Sequence, residues 1–169
     1  MAGVAADLRI RPAAPADREA IWRILEPVIR AGETYALERD MSRGAALGYW
    51  FGERRETFVA EQGGAVLGTY YLRPNQAGGG AHVCNCGYVT AANAAGKGIA
   101  TAMCRDSLRR ARERGYRGMQ FNFVASTNAR AAALWRSLGF REIGRIPGGF
   151  LHPADGYVDA LIFYRALEG

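Results

Sequence analysis

Cysteine is scarce in this chain of 169 residues, and its three cysteines, Cys84, Cys86 and Cys104, form an odd set. Such a set argues against a disulfide framework and for reduced thiols, which predicts a cytoplasmic protein. No run of 18 or more apolar residues occurs, so we expect no membrane span. The opening segment MAGVAADLRIRP has neither the basic segment nor the apolar core of a secretory signal, so we expect none.

Internal repeats and linkers are also lacking, so we expect a single domain over residues 1–169. The chain is long enough for a full hydrophobic core, and its 49% of hydrophobic residues excludes a disordered protein. A net charge of +6 favours an anionic partner, either a nucleic acid or a phosphate-bearing cofactor. The arginines are scattered except for a run from Arg105 to Arg117, which is typical of a solvated helix face. We therefore expect no nucleic-acid binding.

The hydrophobic pattern predicts eleven elements in the order β-α-α-β-β-β-α-β-α-β-β. The strands are expected at 8–13, on both sides of Gly63-Gly64, at 82–90, at 119–126, at 140–148 and at 157–167. The helices are expected after Pro15, at 43–51, before Gly115 and between Asn128 and Gly139. The β-α-β unit from His82 to Ser126 implies a parallel crossover. The fold class is therefore α/β (α+β), with a mixed, mostly antiparallel central sheet flanked by helices.

One glycine-rich turn lies between a predicted strand and a predicted helix. A helix start offers unpaired amides and a partly positive dipole end, and Gly96 and Gly98 would let a bulky anion approach the backbone. This arrangement is typical of a pyrophosphate site, although a plain glycine turn that caps a helix remains an alternative. The turn matches neither a P-loop nor the dinucleotide fingerprint. It comprises Asn93, Ala94, Ala95, Gly96, Lys97, Gly98, Ile99 and Ala100.

Two motifs resemble those of the GNAT acetyltransferase superfamily. The turn Asn93-x-x-Gly96-Lys97-Gly98 is similar to the family loop Gln/Arg-x-x-Gly-x-Gly/Ala, apart from its first position. Downstream, the family pattern Asn-x-x-Ala-x-x-Leu-Tyr-x-x-x-Gly-Phe is matched at Asn128, Ala131, Leu134, Trp135, Gly139 and Phe140, with Trp135 in the place of the tyrosine. The resemblance covers nearly the whole chain.

This resemblance implies an enzyme that transfers an acetyl group from acetyl-CoA to an amine. The loop from Asn93 to Ala100 would bind the pyrophosphate, and the strand before it would hold the thioester and pantetheine arm through Tyr88 and Val89. Trp135 would also lie at the cofactor. The family tyrosine often acts as the general acid, but an indole is a poor acid, so another group or water must protonate the thiolate. A homodimer is expected by the same resemblance, and no metal.

A narrower resemblance links Asn85, Asn122, Asn128, Trp135 and the C-terminal segment to the fungal acetyltransferases that act on proline analogues such as azetidine-2-carboxylate. It implies that Asn85 contacts the acceptor amine. The backbone amides of Asn122 and Phe123 would hold the acceptor carboxylate. Tyr35 lies in the loop that lines the acceptor pocket in the family.

The same resemblance implies that the Tyr88 backbone and the Asn128 side chain meet the thioester end of acetyl-CoA, where both would take part in catalysis. The Tyr88 amide would polarise the thioester carbonyl, and a bulge at Gly87 would turn that amide toward the ligand. Asn128 would donate to the sulfur, cap a helix, or do both. Asn85 and Asn122 lie inside apolar strands, where an interstrand network is the alternative to substrate binding.

Cys84 and Cys86 are interpreted as small core residues, because no histidine or acid stands at a metal-binding or catalytic spacing from them. His82 and His152 have no evident partner and are interpreted as structural. The functional prediction is therefore a small-molecule N-acetyltransferase. A non-catalytic acyl-CoA sensor, a protein N-acetyltransferase and a nucleic-acid-binding protein are the alternatives.

Overall fold

The computed structural model describes residues 7–167, which form seven strands and four helices. The strands are β1 (Arg9–Pro12), β2 (Glu56–Gln62), β3 (Ala65–Pro74), β4 (Val83–Thr90), β5 (Gly118–Ala125), β6 (Arg141–His152) and β7 (Gly156–Ala166). The helices are α1 (Arg18–Ala31), α2 (Arg43–Trp50), α3 (Ile99–Glu113) and α4 (Ala129–Ser137). The expectation about a secretory signal falls largely on residues 1–6, which lie outside the described residues.

One sheet contains all seven strands, in the order β1-β2-β3-β4-β5-β7-β6. Only β4 and β5 are parallel among these pairs, and α3 makes the crossover between them. The predicted fold class, element order and crossover are therefore confirmed. Within residues 7–167 no helix combines the length and apolarity that a membrane crossing requires.

Glycines define several of the predicted boundaries. Gly63 and Gly64 both have positive φ, +57° and +78°, as a type I′ hairpin turn requires, and they join β2 to β3. Gly115 and Gly139, with φ of +78° and +83°, follow the ends of α3 and α4. The prediction that β6 ends at residue 148 is wrong, because this strand bulges between Ile146 and Phe150 and continues to His152.

The sheet is covered on both faces, and each face has its own core. On one face α3 and α4 contribute Met103 and Trp135, which pack on β-strand residues such as Phe121. On the other face α1 and α2 contribute Leu25 and Trp50, which pack against the strands. Side chains alternate between the faces along each strand, so Cys84, Cys86 and Tyr88 join the first core while Val89 joins the second.

The strands β4 and β5 pair only at their beginnings, through Val83 with Gly118 and Cys84 with Met119. Beyond these pairs the two strands separate, which opens the sheet at the carboxyl ends of both strands. The predicted bulge at Gly87 is wrong, because β4 pairs with β3 in one unbroken register. Gly87 is needed for another reason, since a Cβ there would lie 2.7 Å from the ring of Tyr71.

A bulge does occur on the neighbouring strand. The register of β5 with β7 shifts by one residue between Phe121 and Val124, so Asn122 and Phe123 have no register partner in β7. A bulge leaves backbone groups out of the ladder and redirects them. The irregular backbone at the opening therefore lies on β5 and not on β4.

Candidate active site

A cleft of about 230 Å³ lies where β4 and β5 separate. One wall is the loop between α1 and α2, with Tyr35. The floor consists of β3, β4 and β5, and α4 closes the far side with Asn128 and Trp135. The cleft therefore brings together six of the predicted site residues: Tyr35, Asn85, Tyr88, Asn122, Phe123 and Asn128, together with Trp135 as a seventh.

The backbone of Tyr88 faces this opening. The Tyr35 hydroxyl donates a hydrogen bond of 3.0 Å to the Tyr88 carbonyl. Because the N–H and C=O of one strand residue point to the same edge, the Tyr88 amide faces the gap between β4 and β5 as well. The separation of the strands exposes this amide, so no bulge at Gly87 is required.

The Tyr88 side chain, in contrast, belongs to the core. Its hydroxyl lies 2.7 Å from the Ser107 hydroxyl, and its ring centroid lies 5.3 Å from that of Trp135 and 5.8 Å from that of Phe121. Burial raises the pKa of this phenol well above its usual value. Only the backbone of Tyr88 is therefore placed to meet a ligand in the cleft.

Asn128 occupies the N-cap of α4. Its Oδ1 accepts a hydrogen bond of 3.2 Å from the amide of Ala131, as the capping alternative predicts. The Asn128 Nδ2 makes no hydrogen bond within residues 7–167, and the residue lines the cleft. Capping through the oxygen thus leaves the amide nitrogen as a donor toward the cleft.

Asn85 and Asn122 both take part in polar networks between strands. Asn85 Nδ2 donates to the Gln120 carbonyl at 2.9 Å, which ties β4 to β5 at the start of the gap. Asn122 Nδ2 donates to Asn75 Oδ1 at 2.7 Å and its own Oδ1 accepts from Gln120 at 3.1 Å. The structural alternative is therefore present for both residues, while their contact with an acceptor stays a prediction.

The glycine-rich turn is compatible with a pyrophosphate. Gly96 and Gly98 adopt left-handed conformations, with φ of +77° and +79°, and Gly98 is the N-cap of α3. The Lys97 side chain is exposed beside them. Arg130 also reaches this turn, since its guanidinium lies 3.7 Å from the position of a Cβ on Gly96. Free helix amides, small residues and two cations form a cradle suited to a phosphate group.

Not every residue of this turn presents its side chain to a ligand. Ala94 and Ile99 are buried in the core beneath α3, so only their backbone is placed to contact a cofactor. Asn93, Ala95 and Lys97 are exposed. Among the arginines further along α3, Arg109 and Arg110 are paired with Asp106 and are not free for a phosphate.

The cleft offers no carboxylate and no imidazole, and the one thiol among its lining residues, that of Cys86, is buried. None of the residues that line the cleft is Asp, Glu or His. All three cysteines are buried free thiols, and burial raises the pKa of Cys84 and of Cys104 to about 12. Glu33 and Glu38 are exposed and do not line the cleft. No group of three potential metal ligands occurs within residues 7–167.

Sequence reasoning missed Tyr49, Tyr71 and Arg73, all of which line the cleft. Tyr71 and Arg73 stand two residues apart on β3, so the strand period places them on one face. The sequence indicates that the two residues share a face of β3. It does not indicate which face of β3 borders the cleft. Tyr49 lies on α2, and its hydroxyl is 3.5 Å from the Tyr71 hydroxyl.

Comparison with known proteins agrees with this architecture. The model of the acetyltransferase (GNAT) family matches residues 19–140. The N-acetyltransferase aca1 of Schizosaccharomyces pombe is 30% identical over an alignment of 152 residues that covers 80% of this chain and 73% of that protein. A GCN5-related N-acetyltransferase from Kribbella flavida is 40% identical, with a TM-score of 0.90 over 95% of this chain and 98% of its own.

A third comparison is with a structure solved as a complex. The phosphinothricin acetyltransferase of Sinorhizobium meliloti, solved in complex with acetyl-CoA, has a TM-score of 0.82 over 95% of this chain and 88% of its own. At 22% identity this likeness is one of fold. The chain belongs to the acetyltransferase (GNAT) family and is therefore an acyltransferase.

Proposed function

We propose that this single-domain protein transfers the acetyl group of acetyl-CoA directly to the amine of a small molecule, such as an amino acid or proline analogue. The observation that carries the proposal is the cleft between β4 and β5, which exposes the Tyr88 backbone beside Asn128. The glycine-rich turn that follows β4 supports binding of the pyrophosphate. The Tyr88 backbone would hold the pantetheine arm and thioester at the open edge of β4, whereas the backbone groups of Val89 point to β3.

The chemical step needs two contributions from the protein and one from solvent. The neutral amine attacks the acetyl carbonyl carbon, and the Tyr88 amide stabilises the negative charge that develops on its oxygen. The carbon–sulfur bond then breaks, and Asn128 Nδ2 donates to the departing sulfur. Because no Asp, Glu or His lines the cleft, we propose that solvent takes the amine proton and supplies one to the thiolate.

Release of CoA, measured with a thiol reagent, tests this function. The amines would be azetidine-2-carboxylate, proline, a polyamine and a peptide with a free N-terminus. Release with a small amine supports the proposal. Release with the peptide alone indicates a protein N-acetyltransferase. No release with any amine, while acetyl-CoA still binds, indicates an acyl-CoA sensor.

We also propose that the protein is a homodimer and that it is located in the cytoplasm. The edge strand β6 carries Ile143, Ile146 and Leu151, which are 55%, 41% and 62% exposed, and Tyr157 at the start of β7 is 78% exposed. An apolar edge strand is a candidate for pairing with a second copy of the chain. Light scattering of the wild type and of Leu151→Glu tests this proposal: a dimer that the substitution dissociates supports it, and a monomeric wild type contradicts it.

A further inference from the structure

Arg73 is the only charged side chain among the residues that line the cleft within residues 7–167. It lies on β3 directly opposite Asn85 on β4, and its Nε donates to Asn85 Oδ1 at 3.3 Å. None of the ion pairs of residues 7–167 includes Arg73. Its two terminal amino groups also make no hydrogen bond in that part of the chain, so they are free to bind a ligand.

A second arginine stands near the first without a carboxylate partner. The Arg55 guanidinium lies 4.3 Å from the ring centroid of Tyr49 and 4.8 Å from that of Tyr71, and both tyrosines line the cleft. Arg55 Nε is buried and has no hydrogen-bond partner among the described residues. Burial raises the pKa of Tyr71, and the charges of Arg55 and Arg73 both oppose that rise, so both cations act on the same hydroxyl.

Arg55 and Arg73 are part-buried and form no ion pair among the described residues, and no carboxylate lines the cleft beside them. Buried charges in proteins are normally paired, and arginine binds carboxylates and phosphates through its planar set of donors. Arg110, in contrast, is ion-paired with Asp106. Because no carboxylate lines the cleft, the cations beside it point to an anionic ligand.

We propose that Arg73, supported by Arg55, binds an anionic group of the acceptor and thereby selects amines that carry a carboxylate. This inference rests on the proposed transfer to a small amine and deepens it. The acceptor carboxylate would lie between the Arg73 guanidinium and the β5 bulge at Asn122 and Phe123, which leaves its amino group toward the Tyr88 backbone. A polyamine would be repelled from the same cleft, because it brings only positive charge.

Matched pairs of acceptors test this subsite. The pairs are azetidine-2-carboxylate with its carboxamide, and proline with prolinamide, which differ in the negative charge while keeping the amine. We expect the wild type to prefer each acid. Arg73→Gln should lower kcat/KM for the acids by roughly 10- to 100-fold, the worth of one charge-assisted hydrogen bond, and change that for the amides little.

Two further variants separate a ligand contact from a structural role. Arg73→Lys keeps the charge and should recover part of the preference for the acid. Arg9→Gln removes an exposed arginine of β1 and should leave the preference unchanged. An Arg73→Gln protein that loses acid and amide equally, or that no longer binds acetyl-CoA, overturns the inference, because the residue would then support the fold.

Direct binding distinguishes failure of this inference from failure of the proposed function. Calorimetric titration of the CoA-bound protein with each acid and each amide needs no turnover. Acid binding that Arg73→Gln abolishes supports the subsite even in a protein that releases no CoA. Equal binding of acid and amide to the wild type overturns the subsite, even in a protein that acetylates both.

Discussion

The Tyr35 hydroxyl donates to the backbone carbonyl of Tyr88 across 53 positions of sequence, at a distance of 3.0 Å. This hydrogen bond connects the loop between α1 and α2 to the open edge of β4. The Tyr35 ring also packs edge-on against Trp50, with ring centroids 6.1 Å apart. One side chain therefore links one wall of the cleft to the open edge of β4.

Tyr35→Phe should keep the ring packing and remove only this bond. We expect the free energy of unfolding to fall by about 1 kcal/mol, the worth of one hydrogen bond. The KM of the acceptor should rise more than that of acetyl-CoA, because the loop forms the acceptor wall. Urea unfolding and steady-state kinetics measure both effects. Tyr157→Phe, at an exposed position, is the control, and an unchanged acceptor KM in Tyr35→Phe would contradict the role of the loop.

Gly98→Ala tests the pyrophosphate turn. Its φ of +79° disfavours any side chain, and a methyl group there would obstruct the first amides of α3. Gly115→Ala is a matched control, because Gly115 has a φ of +78° and lies at the opposite end of the same helix. Both variants should lose about 1 kcal/mol of stability. Only Gly98→Ala should raise the KM of acetyl-CoA, and equal values for the two variants would disprove the assignment.

Asn128 offers a way to separate capping from catalysis. Asn128→Asp keeps an oxygen for the Ala131 amide and replaces the Nδ2 donor, whereas Asn128→Ala removes both. We expect Asn128→Ala to lose about 1 kcal/mol of stability and Asn128→Asp to lose little. Both should have a reduced kcat. An Asn128→Asp protein with the kcat of the wild type would show that the residue only caps α4.

Acid stability should depend on Asp17. The hydrogen bonds from Arg11 hold the pKa of this carboxyl below its usual value, with Arg11 Nη1 at 2.7 Å from Asp17 Oδ2. Because the folded pKa is lower than the unfolded value of about 3.9, the stabilisation is present above that pH and is lost as the pH falls through the folded pKa.

Asp17→Asn is the test of this dependence. It should cost about 2 kcal/mol at pH 7, the worth of hydrogen bonds to a charged group, and less at pH 3, which lies below the unfolded pKa of about 3.9. Urea unfolding at both pH values measures the difference, with exposed Asp40→Asn as the control. A loss that is equal at pH 7 and pH 3 would contradict the role of the ionised carboxyl.

The predictions that depend on residues close in the sequence were confirmed, whereas those that depend on contacts between distant strands were wrong. The turn at Gly63-Gly64 and the helix ends at Gly115 and Gly139 depend on local backbone conformation, and the structure confirms them. The predicted bulge at Gly87 was wrong, because the need for glycine there comes from the Tyr71 ring of the neighbouring strand. Similarly, β6 does not end at its glycines, because its pairing with β7 continues as far as His152.

The features of the candidate site also fall into those that the sequence indicates and those that depend on tertiary contacts. The sequence by itself determined the mixed α/β class, the crossover around α3, the glycine turn and the capping residue Asn128, because each depends on periodicity or on neighbours a few residues apart. Only the tertiary structure decided that β4 and β5 separate, that the bulge lies at Asn122 and Phe123, and that Arg73 stands unpaired beside the opening. These features arise from contacts between residues that are far apart in the sequence. No local sequence pattern indicates which neighbouring strands will separate.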